Sequence, residues 1–188
     1  MYGMVNRSIE EFIVRQHGEA AWRATKKRAS VDAEVFLSMR PYPDEVTYRL
    51  VVGACEELQL DADALLRDLG ANWVSFAAKT SYGRLMNNSG ETLPAFLRRL
   101  DALHSKVGMG CPELKPPSFR VKEIAEGELE LQYFSKREGL QSFVIGLIRG
   151  LGERFGQDVE VDLVQPRGDG EVMDVFRVRH WDRKEAIA

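Results

Sequence analysis

The sequence predicts an α+β fold, in which a helical N-terminal part precedes further helices and a four-stranded antiparallel sheet. Apolar residues recur at helical spacing from Val5 as far as Gly110. Alternation of apolar and polar residues, as in half-buried strands, begins only after Gly110. Because helices and strands are segregated along the chain, a parallel α/β arrangement fits less well. The 44% hydrophobic and 29% charged residues are an ordinary balance for one globular domain of 188 residues.

The spacing of apolar residues predicts four helices in the N-terminal part. Helical spacing from Val5 onwards stops at Gly18, a residue type that often ends helices. Two prolines make the segment before Asp44 a loop, and we expect Asp44 to cap the helix that follows. The predicted helices are Val5–Arg15, Glu19–Ala29, Asp44–Leu58 and Asp61–Leu69, the last closing on Gly70.

A further helix after Gly70 contains Trp73 and Phe76, and a turn at Asn87–Gly90 separates it from the next helix. Thr92 is a candidate cap for that helix, which shows the strongest periodicity in the chain. One continuous apolar stripe predicts a single helix and consists of Leu93, Phe96, Leu97, Leu100, Leu103, His104 and Val107.

The remaining chain predicts a sheet with one long helix inserted into it. Prolines between Gly110 and Ser118 end helical structure, and β-branched and aromatic residues then alternate with polar ones. The predicted strands are Ser118–Ile124, Glu128–Phe134, Val159–Val164 and Val172–His180, with a helix at Gly139–Phe155 between the second and the third.

Composition argues against several classes of partner. A net charge of −3 provides no basic field for nucleic acid or for an anionic membrane surface. No apolar run reaches the length of a membrane span, and acidic residues interrupt the start of the chain where a signal peptide would be apolar, so we expect a cytoplasmic protein. Cys55 and Cys111 are too few and too far apart for a zinc site, and we interpret both as reduced thiols.

Of the three histidines, His104 is the one for which we expect a functional role. His17 precedes Gly18 at a helix end and His180 lies near the end of the last strand, so we expect neither to have a functional role. The imidazole of His104 lies in the apolar stripe instead. Taken alone, a core histidine bonded to a backbone carbonyl is the simpler interpretation. One imidazole is nevertheless enough as the only protein ligand of a haem iron.

Tyr133, Ser135 and Arg137 alternate at the exit of the second predicted strand, which would place two hydroxyls and a guanidinium on one side. Such a set suits two carboxylates or a phosphate, although the pattern by itself is weak. Together with His104, it matches the iron and the two propionates of haem. Pro117 could press against the ring, with the first helices forming the opposite wall.

Enzyme motifs are missing from the sequence. The glycine-rich run GLIRGLGERFG lacks the GxGxxG order, and no GxSxG, HExxH or GxxxxGK[ST] pattern occurs. The acidic pairs Glu10-Glu11 and Glu56-Glu57 lie on predicted helices, where we interpret them as solvated faces. No candidate nucleophile has a visible partner.

Four segments of the chain resemble the H-NOX family of haem-based nitric oxide and oxygen binding domains. They are MYGMVN at the start, LDALHSKVG around His104, PPSF, and LQYFSKREGLQSFVIGLI. The chain is similar to the haem domain of the soluble guanylate cyclase β subunit and to its cyanobacterial relatives. The resemblance implies one haem-binding domain over residues 1–188, with a helical distal part of about 1–60 and a proximal helix and sheet part of about 61–188 that together enclose the haem.

The resemblance also implies a haem b, iron protoporphyrin IX, and a role for each matching residue. His104 would be the proximal iron ligand, Tyr133, Ser135 and Arg137 would hold the propionates, and Pro117 would touch the ring. The matching distal residues would be Val5, Trp73, Phe143 and Leu147, with Met1 and Tyr2 nearby.

The expected distal pocket departs from that of oxygen-binding relatives, which place a tyrosine at the position matched to Phe143. A one-residue length difference leaves Ser142 as the alternative match. Phe143 offers no hydrogen bond to oxygen, and losing one costs about 1.5 to 3 kcal/mol, a factor of roughly 10 to 150 in affinity. We therefore expect binding of nitric oxide and CO with little or no stable binding of O₂, unless Trp73 or Tyr82 supplies a donor.

The function implied is a gas sensor without catalysis. In the family mechanism, nitric oxide weakens the bond from ferrous iron to His104, the His104 helix relaxes, and a separate partner protein reads the shift. Bacterial relatives signal to histidine kinases or to cyclic-di-GMP enzymes, and 188 residues leave no room for an output domain beside the haem domain.

Two alternatives remain. One is a binding module for another apolar ligand that carries carboxylates, in which His104 is a core residue. The other is a haem enzyme that acts on nitric oxide or peroxide, against which Phe143 argues because such chemistry usually needs polar distal groups.

Overall fold

A computed structural model describes residues 1–110, 113–168 and 170–183. The helices are α1 (Gly3–Arg28), α2 (Asp44–Leu58), α3 (Ala62–Ala78), α4 (Gly83–Asn87), α5 (Leu93–Arg98), α6 (Leu100–Met109) and α7 (Gln141–Arg154). The strands are β1 (Ser118–Ala125), β2 (Glu128–Phe134), β3 (Gln157–Gln165) and β4 (Met173–Asp182). The predicted α+β class is confirmed.

The four strands form one antiparallel sheet in the order β1-β2-β4-β3. Its inner face is apolar because alternate residues of the two central strands, such as Leu131 and Phe176, are fully buried. Its outer face carries ion pairs, among them Arg177 with Glu128. The inserted helix α7 packs against β3 and α3. All four predicted strands are confirmed.

Helix α1 contains the first two predicted helices, joined at Gly18. This glycine has non-helical backbone angles (φ 86°, ψ 168°), in the region that residues with a Cβ rarely adopt. The glycine therefore interrupts the helical backbone as predicted, although the chain resumes a helix immediately afterwards.

Gly70 does not end a helix, contrary to the prediction, because α3 continues through it from Ala62 to Ala78. A Cβ at Gly70 would lie 2.2 Å from the carbonyl oxygen of Phe143. A Cβ at Gly146 on α7 would lie 1.9 Å from the carbonyl oxygen of Arg67. Glycine occurs at these two positions because α3 and α7 approach backbone to backbone.

The single helix predicted over the apolar stripe is also wrong. Arg99, at φ −102° and ψ 3°, separates α5 from α6. Thr92 does cap α5, since its hydroxyl accepts a hydrogen bond from the backbone nitrogen of Ala95 at 3.4 Å. The break leaves the apolar periodicity intact because both helices pack on the sheet.

Asp44 is the first residue of α2 rather than its cap. The capping position belongs to Pro43, and the Asp44 side chain makes no capping hydrogen bond. The Asp44 carboxylate instead accepts hydrogen bonds from Arg137 and from the terminal amine of Met1.

Two hydrophobic clusters form the core. The N-terminal cluster comes from α1, α2, the segment between them and the first half of α3, including Leu65 and Leu69. The sheet cluster comes from the second half of α3, the helices α5, α6 and α7, and the inner face of the sheet. Helix α3 contributes to both clusters and so joins the two parts of the molecule.

Cys55 has a free, half-buried thiol whose pKa burial raises. Cys111, the other predicted reduced thiol, lies outside the described residues. Within the three described segments, no helix is both long and apolar enough to cross a membrane.

Candidate functional site

The imidazole of His104 is held in one orientation on α6. Its Nδ1 lies 3.1 Å from the carbonyl oxygen of Pro117, which can only accept a hydrogen bond. When Nδ1 donates this bond, the neutral ring keeps the lone pair of Nε2 free for a metal. Burial lowers the pKa of His104, although the Pro117 contact and the charge of Asp101 oppose that shift. The site therefore favours the neutral form that a metal ligand requires.

Asp101 lies one helical turn before His104 and fastens α6 to the start of β1. Its carboxylate accepts a hydrogen bond from the Ser118 hydroxyl at 2.6 Å and another from the Phe119 backbone nitrogen at 2.7 Å. These two bonds hold the two residues that follow Pro117, whose carbonyl orients His104. Sequence reasoning missed Asp101, although a carboxylate three positions before a candidate ligand on one helix is a usable signal.

A chain of aromatic rings connects His104 with Tyr133. The ring centroids of His104 and Phe119 are 5.9 Å apart, and those of Phe119 and Tyr133 are 5.3 Å apart. Phe119 and Tyr133 are also cross-strand partners of β1 and β2. The structure therefore brings the predicted ligand and the predicted anion-binding motif onto one side of the sheet.

Tyr133 and Ser135 lie together, as the strand alternation predicts. Tyr133 is buried, which raises the pKa of its phenol, and the Ser135 hydroxyl is within hydrogen-bonding reach of that phenol. The backbone nitrogen of Arg137 donates a hydrogen bond to the Ser135 hydroxyl at 3.0 Å. The raised pKa keeps the Tyr133 phenol protonated at neutral pH.

Arg137 reaches across to the N-terminal helices. Its Nε donates a hydrogen bond to Asp44 at 2.7 Å, and its Nη1 donates one to the Lys115 carbonyl at 2.8 Å. The terminal amine of Met1 forms a second ion pair with Asp44. Burial acts to raise the pKa of Asp44, but hydrogen bonds from Arg137 and the terminal amine outweigh it and lower the pKa. Asp44 therefore connects the terminal amine of Met1 with the guanidinium of Arg137.

Sequence reasoning assigned Asp44 to a helix cap and so missed this role, because 93 positions separate Asp44 from Arg137. Tyr48, one turn further along α2, was missed as well. Its hydroxyl donates a hydrogen bond to the Glu138 carbonyl at 3.2 Å, and burial raises its pKa. Tyr2 pairs with Pro41 beside the same cluster.

The predicted distal residues lie on three helices. Phe143 and Leu147 belong to α7, where their backbones contact Gly70 of α3. The Trp73 ring stacks on Phe76 at 6.1 Å. Val5 is half-buried on α1.

These four residues do not form one cluster. Phe143 packs on the N-terminal cluster, whereas Trp73 and Leu147 pack on the sheet cluster.

Ser142, the alternative match to the distal tyrosine, has its hydroxyl engaged. It donates a hydrogen bond to Asp63 at the start of α3, at 2.7 Å. The Tyr82 hydroxyl lies 3.5 Å from the Met39 sulfur at the surface. The Ser142 hydroxyl is therefore already bonded within the fold.

The donor set suits a haem. A half-buried neutral imidazole offers Nε2 to iron, and two hydroxyls with the Arg137 guanidinium, which also bonds to Asp44, are donors suited to carboxylates. No group of three His, Cys, Asp or Glu side chains that could hold a metal ion occurs among the described ranges. A haem needs none, because the porphyrin supplies four ligands and one imidazole completes the attachment.

The model of the haem-NO-binding family matches residues 2–163 of this chain. The chain belongs to this family. Domains of the family, also called H-NOX, bind haem and act as sensor modules rather than catalytic ones.

Curated relatives agree with this assignment. Soluble guanylate cyclase gcy-31 of Caenorhabditis elegans is 29% identical over 184 residues, a match that covers 97% of this chain and 26% of the relative. The soluble guanylate cyclase subunit beta-2 of Rattus norvegicus is 37% identical over 93 residues, covering 50% of this chain and 14% of that protein. The chain thus spans about a quarter of gcy-31.

Solved structures share the fold. An H-NOX protein from S. oneidensis in the Fe(II) state has a TM-score of 0.87 at 16% identity, with 98% of each chain covered. The same protein in the Fe(II)NO state has a TM-score of 0.85 at 17% identity, covering 97% of this chain and all of the other. The α+β fold of this chain is therefore the H-NOX fold.

Proposed function

We propose that this domain senses nitric oxide and CO through a haem b and forms little or no stable complex with O₂. The observation that carries the proposal is the half-buried His104 imidazole, whose Nδ1 is bonded to the Pro117 carbonyl, so that Nε2 can bind iron.

Each predicted residue has a role in this proposal. His104 would bind the iron, Tyr133, Ser135 and Arg137 would hold the propionates, and Pro117 would contact the ring. The opposite wall would contain Val5, Trp73, Phe143 and Leu147, with Met1 and Tyr2 at its edge.

When bound, the haem would supply an iron that can bind a diatomic gas beside the wall containing Phe143. Phe143 has no donor to offer there, and the neighbouring Ser142 hydroxyl is engaged by Asp63. Without a charge-assisted hydrogen bond, O₂ forgoes about 1.5 to 3 kcal/mol, whereas nitric oxide binds ferrous iron tightly without one. Selection against O₂ follows.

Signalling would pass through the bonds around His104. Movement of His104 would act on α6 and, through Pro117 and Asp101, on the start of β1. Arg137 and Asp44 would connect that movement to α1 and α2. A gas can shift such an equilibrium only by its difference in affinity for the two conformations.

We propose a separate signalling protein as the receiver of this shift, either a histidine kinase or a cyclic-di-GMP enzyme. The division into a distal part of about 1–60 and a proximal part of about 61–188 within one domain stays a prediction. So does the cytoplasmic location.

The test is the visible absorption spectrum of the purified, reduced protein under nitrogen, air, CO and nitric oxide. We expect new bands with CO and nitric oxide and an unchanged spectrum in air. His104→Gly should lose the haem and regain it with added imidazole, while the matched control His17→Gly should keep it.

Several outcomes would contradict the proposal. A stable oxygenated spectrum in air would exclude the gas selectivity, and a folded but colourless protein would favour another carboxylate-bearing ligand. Turnover of nitric oxide or peroxide far above that of free haem would favour an enzyme.

A further inference from the structure

A buried ion pair lies behind the Tyr133 motif. Arg167 belongs to the connection between β3 and β4, and Asp174 lies on the inner face of β4. The Asp174 side chain is 0% exposed and that of Arg167 is 10% exposed. The Asp174 carboxylate accepts hydrogen bonds from the Arg167 backbone nitrogen at 2.9 Å and from its Nε at 2.8 Å, and Nη2 forms the ion pair.

The remaining donor of Arg167 is directed at the backbone of the motif. Its Nη1 donates hydrogen bonds to the Ser135 carbonyl at 2.8 Å and to the Arg137 carbonyl at 3.1 Å. Its guanidinium carbon lies 5.8 Å from the centre of the Tyr133 ring, close enough for a cation–π contact. Arg167 therefore touches all three motif residues without occupying their side-chain donors.

Asp174 anchors this arrangement in the centre of the sheet. It is the cross-strand partner of Tyr133, and it also accepts a hydrogen bond from the Gln141 amide at 3.2 Å. Burial would raise the pKa of Asp174, but the hydrogen bonds from Arg167 lower it, so the carboxylate stays charged. A charged pair that water cannot reach holds its geometry better than a surface pair.

The motif needs such support because β2 ends at Phe134. Ser135 keeps a backbone hydrogen bond to Val172 at 2.8 Å, but Arg137 lies beyond the ladder, where the chain has more freedom. The carbonyl oxygens of Ser135 and Arg137 accept hydrogen bonds from Arg167, so these bonds do not involve the side chains of the motif. The planar guanidinium can grip two carbonyls and one carboxylate at once, which a lysine ammonium cannot do with the same geometry.

We propose that Arg167 and Asp174 are positioning residues that hold Tyr133, Ser135 and Arg137 in the orientation required to bind the propionates. They act through the motif backbone and do not touch the ligand. The inference rests on the proposed haem function.

The experiment measures haem release from the assembled protein to an excess of a haem-scavenging apomyoglobin. Wild type is compared with Arg167→Lys and with the control Arg177→Lys. Arg177 lies on β4, the strand of Asp174, and pairs with Glu128 on the open face of the sheet. Each protein is loaded in parallel with haem and with haem dimethyl ester, whose propionates are blocked. The absorption band of the histidine-bound iron and the thermal unfolding of each apoprotein are recorded as well.

We expect Arg167→Lys to release haem about 10-fold faster than wild type, the effect typical of losing a group that orients a ligand-binding side chain. It should release the ester at the wild-type rate and keep the histidine-bound band. Arg177→Lys should match wild type with both pigments.

Equal acceleration for haem and ester would overturn the proposal and give the pair a general structural role. Unchanged release of both would overturn it too, while leaving the haem function standing. If wild type takes up no haem at all, the haem function itself fails. Should Arg167→Lys not fold, Asp174→Asn is measured in its place, and failure of both to fold would assign the pair to stability alone.

Discussion

The two sides of the candidate site are constructed in different ways. On the His104 side, polar bonds fix each candidate group: Pro117 orients His104, and Asp101 fixes the residues next to Pro117. On the α3 and α7 side, glycines bring two backbones together, and the side chain proposed for the distal position is Phe143, which has no polar group. Directional bonds suit the side that would hold iron and propionates. An apolar wall would select between gases because it offers no hydrogen bond to bound O₂.

The largest expected effect comes from forcing helices α3 and α7 apart. Gly146→Ala would put a Cβ 1.9 Å from the Arg67 carbonyl oxygen, so the helices must separate. We expect a loss of about 3 kcal/mol in the free energy of unfolding, the upper range for overpacking. Urea denaturation measures it.

Gly108→Ala is the matched control, because no atom lies within 4 Å of the added Cβ on α6. It should be neutral or stabilise the protein slightly, as alanine does in a helix. Equal effects at both glycines would show that helix contact is not what requires Gly146.

A smaller effect is expected from breaking the polar side. Asp101→Ala removes the carboxylate that accepts both hydrogen bonds from the start of β1, and we expect a loss of about 2 kcal/mol in unfolding free energy, typical of hydrogen bonds to a charged group. The same variant should loosen the Pro117 carbonyl and broaden the His104 imidazole signals in NMR spectra.

Ser105→Ala serves as the control for Asp101→Ala. The Ser105 hydroxyl bonds only within α6, to the Asp101 carbonyl at 2.9 Å. Unaltered His104 signals in Asp101→Ala would contradict the positioning of the imidazole through β1.

Phe143→Tyr would add a hydrogen-bond donor to the apolar α3 and α7 side and so reduce its difference from the polar His104 side. If Phe143 faces the bound gas, affinity for O₂ should rise about 10-fold, the lower end for a charge-assisted hydrogen bond of about 1.5 kcal/mol. Oxygen titration of the reduced protein measures this. Ser142→Tyr is the comparison, and a larger rise there would assign the distal position to Ser142.

The smallest expected effect is on the pH dependence of the unfolding free energy, which tests whether the fold keeps the His104 imidazole neutral. Burial lowers the pKa of His104 below its ordinary value of 6.5, so the unfolded chain binds a proton more readily than the folded one. Stability from the neutral imidazole is present above the ordinary pKa and is lost as pH falls through the folded pKa. Urea unfolding of the apoprotein between pH 7 and pH 5 should therefore show less loss in His104→Gln.

His180 also has a pKa lowered by burial and contributes to acid destabilisation, but equally in both proteins. Comparing the two slopes removes that contribution. A wild-type slope no steeper than that of His104→Gln would mean that the imidazole does not resist protonation.

Local pattern predicted much of the site. His104 was identifiable as a polar residue in an apolar stripe, and the alternation of Tyr133 with Ser135 required only the two-residue period of a strand. Asp44 could not be assigned in the same way, since its partner Arg137 belongs to another part of the fold. Arg167 was missed for a similar reason, because it acts on backbone carbonyls that carry no sequence signal.

The sequence by itself determined the α+β class, the four strands and the imidazole with its accompanying motif, since residue type and spacing encode these locally. Only the tertiary structure decided that α3 runs through Gly70, that the apolar stripe breaks at Arg99, and that Asp44 pairs with Arg137. Those features depend on which distant backbones and charges meet. A glycine that permits close packing and one that ends a helix look the same in a sequence.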